Sequence, residues 1–325
     1  MINPFEQNVI AVIWDFDKTL ISDYMQKPIF EHYEVDGNEF WKEVNSLETE
    51  YRKRNPDIRI NKDTIYLNHF LTCVQQGIFA GLNNQKLREF GSQLNFYPGM
   101  PEFLETSRQI IQSNERYKQY SIKVEHYIVS TGLAEMIRGS KVAPYVDGIW
   151  GCEFIEDVIQ SQLDVKLFPK KDQKKDNENS VISQIGYAVD NTSKTRAIFE
   201  INKGANKNPN IDVNSTMDRS KRRVPFEQMI YIADGPSDVP AFSIIKQNGG
   251  STFAVYPKGR MREFQQVDQL RRDGRIDMYG EADYTAGSVT YMWIIHRLEE
   301  IADKIAVRKD MAIRQSVSNP PTHIN

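Results

Sequence analysis

The chain is organised around one stretch, VIAVIWDFDKTL at residues 9–20. It opens with an apolar run, residues 9–14, that is rich in β-branched side chains, too short for a membrane span and typical of a buried parallel strand. Two carboxylates, Asp15 and Asp17, follow directly. Because ligands of open α/β sheets bind beyond the carboxyl ends of the strands, we expect reactive groups here. Two like charges held close together repel, and a divalent cation is the simplest group that offsets them.

The composition is that of an ordinary globular protein. Of 325 residues, 40% are hydrophobic and 26% charged, and the net charge of −3 gives no overall basic field that would indicate a nucleic acid or an anionic membrane as partner. Two cysteines, Cys73 and Cys152, are too few for a disulfide framework, which predicts buried thiols in a cytoplasmic protein. The sequence has no apolar run near the ~20 residues of a spanning helix, and residues 1–8 lack the basic cluster of a secretory signal.

The rest of the chain predicts a discontinuous core with a helical insertion. Residues 21–96 space their apolar side chains three and four apart, as amphipathic helices do. Beyond them, strands and helices alternate, which is typical of an α/β fold with a doubly wound, mostly parallel sheet. Further strands are predicted at 126–132, 145–151, 185–189, 229–233 and 252–256, and a long helix at 288–307. We therefore expect a core made of 1–20 and 97–307, a cap at 21–96 and a flexible tail at 308–325.

Two polar insertions, 169–179 and 205–223, lengthen this core. Both are interpreted as solvated loops, with a reshaped site entrance as the alternative. The second insertion ends in the basic run Arg219-Ser220-Lys221-Arg222-Arg223. An anionic partner is possible for such a run, but a single short run in a nearly neutral chain favours an exposed loop.

Polar residues also follow two later strands, as Ser130-Thr131-Gly132 and as Asp234-Gly235-Pro236-Ser237-Asp238. Each alone has a simpler explanation, because hydroxyls cap helices and Gly, Pro, Ser and Asp favour turns. Taken in order with Asp-Phe-Asp-Lys-Thr at 15–19 and with Lys194, they resemble the four motifs of the haloacid dehalogenase-like (HAD) superfamily. The likeness is greatest to its phosphoserine-phosphatase-like branch, whose helical cap is inserted just after the first motif.

This resemblance implies a Mg²⁺-dependent phosphomonoester hydrolase that acts on a small phosphorylated metabolite. A carboxylate that attacks phosphorus forms an aspartyl-phosphate, and a second carboxyl group can protonate the leaving oxygen and then activate water. The implied roles are as follows: Asp15 is the nucleophile, Asp17 the general acid and base, Ser130, Thr131, Gly132 and Lys194 bind the substrate phosphate, and Asp15, Asp17 (through its backbone carbonyl), Asp234 and Asp238 hold Mg²⁺.

Several alternatives stay open at this point. Lys203, Lys170 and Lys171 compete for the role of site lysine, and Lys194 is favoured because it opens a helix with an apolar face. Phosphotransfer to an alcohol, other HAD-type hydrolysis, and a non-catalytic module that binds a phosphorylated ligand or a protein are alternative functions. The acids at 234 and 238 argue against metal-free dehalogenation, and the intact set of acids argues against the module. Five residues of the predicted cap follow the first motif closely enough to face the site: Tyr24, Gln26, Lys27, Glu31 and His32. Their side chains do not indicate a particular substrate.

Overall fold

One mixed sheet forms the centre of the computed structural model, which describes residues 7–156 and 180–318. Over these ranges its strands are β1 Val9–Trp14, β2 Lys123–Leu133, β3 Gly148–Ile155, β4 Gln184–Tyr187, β5 Met229–Ala233, β6 Ser251–Tyr256 and β7 Met278–Glu281. They lie in the order β4-β3-β2-β1-β5-β6-β7, and all neighbours are parallel except β3 and β4. The predicted α/β class with a doubly wound, mostly parallel sheet is confirmed.

Helices flank this sheet and fill the segment after β1. They are α1 Lys27–His32, α2 Gly37–Arg54, α3 Ile65–Gln75, α4 Asn84–Gly91, α5 Glu102–Gln112, α6 Glu115–Lys118, α7 Ala134–Gly139, α8 Lys194–Lys203, α9 Val239–Gln247, α10 Met261–Arg272 and α11 Val289–Ser318. The first four lie within the segment predicted as a helical cap. No helix in the described part of the chain is long and apolar enough to cross a membrane.

Strand β1 is buried on both of its faces, which explains its unbroken apolar sequence. Because successive strand side chains point to opposite faces, Val12 and Trp14 join one hydrophobic core with α5, α11 and the cap helices. Ala11 and Ile13 join a second core with α8, α9 and α10. The strand that carries Asp15 at its end is therefore fixed from both sides.

Several element boundaries differ from those predicted. Strand β3 starts at Gly148 and continues to Ile155, and α10 and β7 had no counterpart in the prediction. Helix α11 reaches Ser318, so residues 308–318, predicted as part of a flexible tail, are helical. Contacts with the core stabilise this extension, because Arg308 donates to Gln228 (2.5 Å) and Tyr120 to Asp310. The insertion at 169–179 and residues 319–325 lie outside the described residues.

The basic run at 219–223 is exposed at residues 219–221, as predicted, whereas Arg222 and Arg223 are partly buried and Arg223 ties the run to the amino end of β2. Arg223 donates to both carboxylate oxygens of Glu125 on β2, at 2.5 and 2.8 Å, and Tyr127 also donates to that carboxylate. Burial alone would raise the pKa of Glu125, but the hydrogen bonds from Arg223 and Tyr127 outweigh it and lower the pKa from 4.5 to about 2.

This cluster predicts a contribution to stability that is lost in acid. Because the folded-state pKa of Glu125 is depressed, its contribution is complete above about pH 4.5 and falls as the pH drops towards about 2. We expect Glu125→Gln to lower the free energy of unfolding at pH 7 by roughly 2–3 kcal/mol. Urea titrations at pH 7 and pH 3 measure this, and the difference between wild type and variant should shrink at pH 3. A difference independent of pH would contradict this account of the ion pair.

Candidate active site

A tight turn places Asp15 and Asp17 at the carboxyl edge of the sheet. The Asp15 amide donates to Ile232 on β5 (2.9 Å), and the carbonyl of Phe16 then accepts from the amides of Thr19 (3.2 Å) and Leu20 (2.9 Å). Lys18, between Asp17 and Thr19, adopts the left-handed conformation with φ +57°. Strain of this kind in a non-glycine residue is concentrated at functional sites.

A buried ammonium group joins two of the predicted carboxylates. Lys194 is the first residue of α8, and its Nζ lies 2.7 Å from Asp15 Oδ1 and 2.6 Å from Asp238 Oδ1. The exposed fractions of Lys194, Asp15 and Asp238 are 1%, 6% and 0%. The other oxygen of Asp15 accepts from Thr19 Oγ1 (3.0 Å), so both carboxylate oxygens of Asp15 are oriented.

The two acids of the last motif have different surroundings. Asp238 accepts from Lys194, from Tyr231 Oη (2.6 Å) and from Ser237 Oγ (2.9 Å). Asp234 accepts no hydrogen bond from any residue that the structure describes. One carboxylate oxygen from each of Asp15, Asp234 and Asp238 lies within 4.8 Å of the others. Asp234 is therefore the carboxylate most available to a further ligand.

Asp17 is held by the start of the cap. Its Oδ1 accepts from the backbone amide of Met25 (3.0 Å), and the sulfur of Met25 accepts from the amide of Leu133 (3.0 Å). A Cβ at position 132 would lie 2.2 Å from the Met25 methyl group, so the glycine leaves room for the Met25 side chain to pack there. Met25 thus links Asp17 to the end of β2.

The predicted phosphate-binding segment lies at that end of β2. Ser130 is buried, and its Oγ accepts from the Gly132 amide (3.0 Å), which leaves the hydroxyl proton free to be donated. The carbonyl of Thr131 accepts from Tyr66 Oη of the cap helix α3 (2.7 Å) and from Cys152 Sγ (3.3 Å). The cap and the core are therefore in direct contact at this segment.

The site gathers more carboxyl groups than ammonium groups, and this shifts their pKa values. Burial by itself would lower the pKa of Lys194, but Asp15 and then Asp238 outweigh it and raise the pKa, so the ammonium stays charged. Burial, and next the charge of Asp15, raise the pKa of Asp17 well above its ordinary value. Burial and then Asp15 and Asp238 raise the pKa of Asp234 to about 8. Within residues 7–156 and 180–318, two ammonium groups act on Asp234, those of Lys194 and of the half-buried Lys18.

These residues fit a magnesium ion. Mg²⁺ prefers carboxylate, carbonyl and water oxygens, and its two charges would offset the excess. Asp234 and Asp15 offer carboxylate oxygens, and the backbone carbonyl of Asp17 belongs to the same turn. Asp238 is engaged by three donors, so its contribution is to orient Lys194 and the turn rather than to act as a principal ligand.

Some contacts at the site had no sequence signal. Tyr231 lies within β5 and Tyr66 within a cap helix, where an aromatic residue predicts only packing. Ser237 belongs to the motif at 234–238, which predicts no role for it. Among the cap candidates, Tyr24 contacts Lys18 (2.9 Å between Oη and Nζ), whereas His32 packs on Tyr33 and Phe90.

The competing lysines lie elsewhere or outside the described residues. Lys203 Nζ donates to the carbonyls of Val213 and Ser215, both at 2.6 Å, at the other end of α8 from Lys194. Lys170 and Lys171 lie outside the described residues. The structure thus brings Lys194 to the predicted acids and keeps Lys203 away from them.

Comparison with known proteins gives one relative of high coverage. An uncharacterized protein of Borreliella burgdorferi is 38% identical over 295 residues, which cover 90% of this chain and 97% of that protein. The chain belongs to the same family as this protein. No protein-family model matches it.

Among solved structures, the chain is similar to a HAD family hydrolase from Salmonella enterica serovar Typhi, with 14% identity, a TM-score of 0.45 and coverage of 80% of this chain and 66% of that one. It is also similar to a phosphoserine phosphatase determined as a phospho-aspartyl intermediate analogue, with 14% identity, a TM-score of 0.43 and coverage of 83% and 92%. Neither the activity nor the substrate of this chain follows from these structures.

The unpaired state of Asp234 predicts opposite effects of one substitution on metal binding and on stability. Asp234→Asn removes a candidate metal ligand and also an ionisable group whose charged form its surroundings disfavour. We expect calorimetric titration with MgCl₂ to show affinity reduced about tenfold or more. Thermal unfolding in EDTA should occur at a higher temperature than in the wild type.

The matched control is Asp57→Asn, an exposed carboxylate on the cap. It should change neither measurement. Wild-type Mg²⁺ affinity in Asp234→Asn would exclude Asp234 as a ligand.

Proposed function

We propose that this protein is a Mg²⁺-dependent phosphomonoester hydrolase that acts through an aspartyl-phosphate on a small phosphorylated metabolite. One observation carries the proposal: a fully buried lysine bridges Asp15 and Asp238 while Asp234 beside them stays unpaired. A purely structural ion pair needs one acid for one base, and surplus buried acid is destabilising. Such a surplus is expected where a cation and an anionic substrate meet.

In the first step, a lone pair of the Asp15 carboxylate attacks the phosphorus of the ester. The bond between phosphorus and the alcohol oxygen breaks, and that oxygen takes a proton from Asp17. Asp17 suits this task because its raised pKa favours the protonated form, and because its Oδ1 is anchored by Met25. The products of this step are the free alcohol and an aspartyl-phosphate on Asp15.

In the second step, Asp17 takes a proton from a water molecule as the water oxygen attacks phosphorus. The bond between phosphorus and Asp15 then breaks, which releases phosphate and regenerates the carboxylate. Lys194 and the Ser130 hydroxyl stabilise the charge that develops on the phosphoryl oxygens. When bound, Mg²⁺ would neutralise substrate charge, with Asp15, the Asp17 carbonyl and Asp234 as its ligands and Asp238 supporting them.

The cap is proposed to act as a lid. Asp15 and Asp238 are almost fully buried, so a substrate reaches them only when contacts such as Tyr66 to Thr131 open. Closure then excludes bulk water from the first step. The intact nucleophile and general acid disfavour a module that only binds ligands. The buried, unpaired Cys73 and Cys152 are consistent with a cytoplasmic enzyme.

The first test is hydrolysis of p-nitrophenyl phosphate by the full chain. We expect activity that requires added Mg²⁺ and disappears with EDTA. Asp15→Asn should reduce turnover by about a thousandfold or more, because the amide keeps the shape of the carboxylate but not its nucleophilicity. Circular dichroism checks the fold, and near-normal turnover in Asp15→Asn would refute the proposed nucleophile.

If the activity is confirmed, a screen of phosphorylated metabolites identifies the substrate, and an added alcohol acceptor distinguishes hydrolysis from phosphotransfer.

A second test separates the site lysine from another lysine of the same helix. Lys194→Ala should lower kcat by about a hundredfold or more, because it removes the ammonium that contacts the nucleophile. Lys203→Ala provides the control, since that ammonium contacts only the carbonyls of a loop. Assays of both variants with p-nitrophenyl phosphate measure the difference. Equal, small effects would refute the role of Lys194.

A further inference from the structure

A basic cavity lies at the amino ends of the central strands, opposite the candidate active site. Its volume is about 400 Å³, and its lining comes from the segment before β1, the start of β2, the chain after α8 and the basic run at 219–223. Ligand pockets begin at about 300 Å³, so this cavity is large enough for a small molecule. A β1 strand of six residues separates it from Asp15 by about 20 Å.

The lining is strongly cationic and contains no acidic residue. Six basic side chains contribute to it: Lys123, Lys203, Lys207, Lys221, Arg222 and Arg223. The nearby Glu125 is engaged by Arg223 and by Lys123 (3.0 Å). Among the residues that the structure describes, the other four form no ion pair. Like charges around one cavity repel each other at this range, and a bound anion relieves that repulsion.

Hydrogen bonds hold the backbone around the cavity in place, while Lys123, Lys207 and Lys221 extend exposed side chains. Gln7 Nε2 donates to the carbonyls of Arg219 (2.8 Å) and Arg222 (3.1 Å), which holds the basic run against the sheet. Lys207 Nζ donates to the carbonyl of Asp147 (3.0 Å) and keeps further N–H groups available. The buried Nε of Arg222 has no hydrogen-bond partner in the described structure. A backbone held in this way lowers the part of the entropic cost of binding an anion that comes from ordering the chain.

We propose that this cavity binds a small, multiply charged oxyanion, such as a metabolite with two or more phosphate groups. Several separate donors around a concave site match an extended polyanion better than a single phosphate. A nucleic acid is disfavoured because the basic surface is a local cavity in a chain of net charge −3. This inference does not depend on the proposed catalytic activity.

The test is calorimetric titration of the full chain with inorganic triphosphate, without Mg²⁺. We expect saturable binding by the wild type. The double variant Lys207→Gln/Arg222→Gln should bind at least about tenfold more weakly, because two cationic donors are lost, and its activity on p-nitrophenyl phosphate should be unchanged. Lys221→Glu changes an exposed position and should also weaken binding. It is the variant to test if the double variant unfolds.

The matched control is Arg262→Gln/Lys304→Gln, which removes two exposed cations elsewhere and should leave the affinity within about twofold. No binding by the wild type at millimolar triphosphate would overturn the proposal, and so would equal weakening in the control. Binding that persists in both Lys207→Gln/Arg222→Gln and Lys221→Glu would place triphosphate at another site and would also overturn it. If a single-stranded oligonucleotide binds more tightly than triphosphate, and the same substitutions abolish that binding, the ligand is a nucleic acid and the proposal is overturned.

Discussion

The structure depends on one buried contact, in which the ammonium of Lys194 lies between the carboxylates of Asp15 and Asp238. These partners are 179 and 44 residues away from the lysine along the chain, so the contact forms only when β1, α8 and the turn after β5 are in place. Removing two carboxylates and an ammonium from water is costly unless the geometry is good. Here Thr19 also donates to Asp15 and Tyr231 to Asp238, so each carboxylate accepts at least two hydrogen bonds.

The groups around this contact are also held by the segment inserted after β1. Asp17 receives its hydrogen bond from Met25, which follows directly on the turn, and Thr131 receives one from Tyr66 of α3. The general acid candidate and the phosphate-binding candidate are thus both held by the segment inserted after β1. Opening the cap would therefore loosen Asp17 and Thr131 together, and closing it would restore both. Under the proposed lid movement, substrate entry and correct positioning of these groups would therefore be coupled.

Local pattern predicted the central parts of the fold. The bounds of β5 agree with the prediction, and β1 ends where the carboxylates begin, because a strand buried on both faces has an unmistakable apolar run. The candidate residues were found for the same reason, since they follow such strands. Helix α11 was predicted too short because its last turns are polar, and their order comes from distant partners such as Gln228. The contact of Tyr66 with Thr131 had no signal, because an aromatic residue in a helix predicts packing alone. Long-range contacts of this kind leave no periodic trace in a sequence.

The basic run at 219–223 shows the limit of arguments from net charge. A chain of net charge −3 has no general attraction for anions, and this is why the run was interpreted as a solvated loop. Screening, however, limits electrostatic effects in salt to roughly 10 Å, so a ligand responds to its immediate surroundings and not to the total. Folding brings lysines from β2 and from the end of α8 to the same place as the run, while Asp15, Asp234 and Asp238 meet at the opposite ends of the strands. The near-neutral total of 41 basic and 44 acidic residues therefore conceals local regions of either sign, and each region must be judged by its own neighbours.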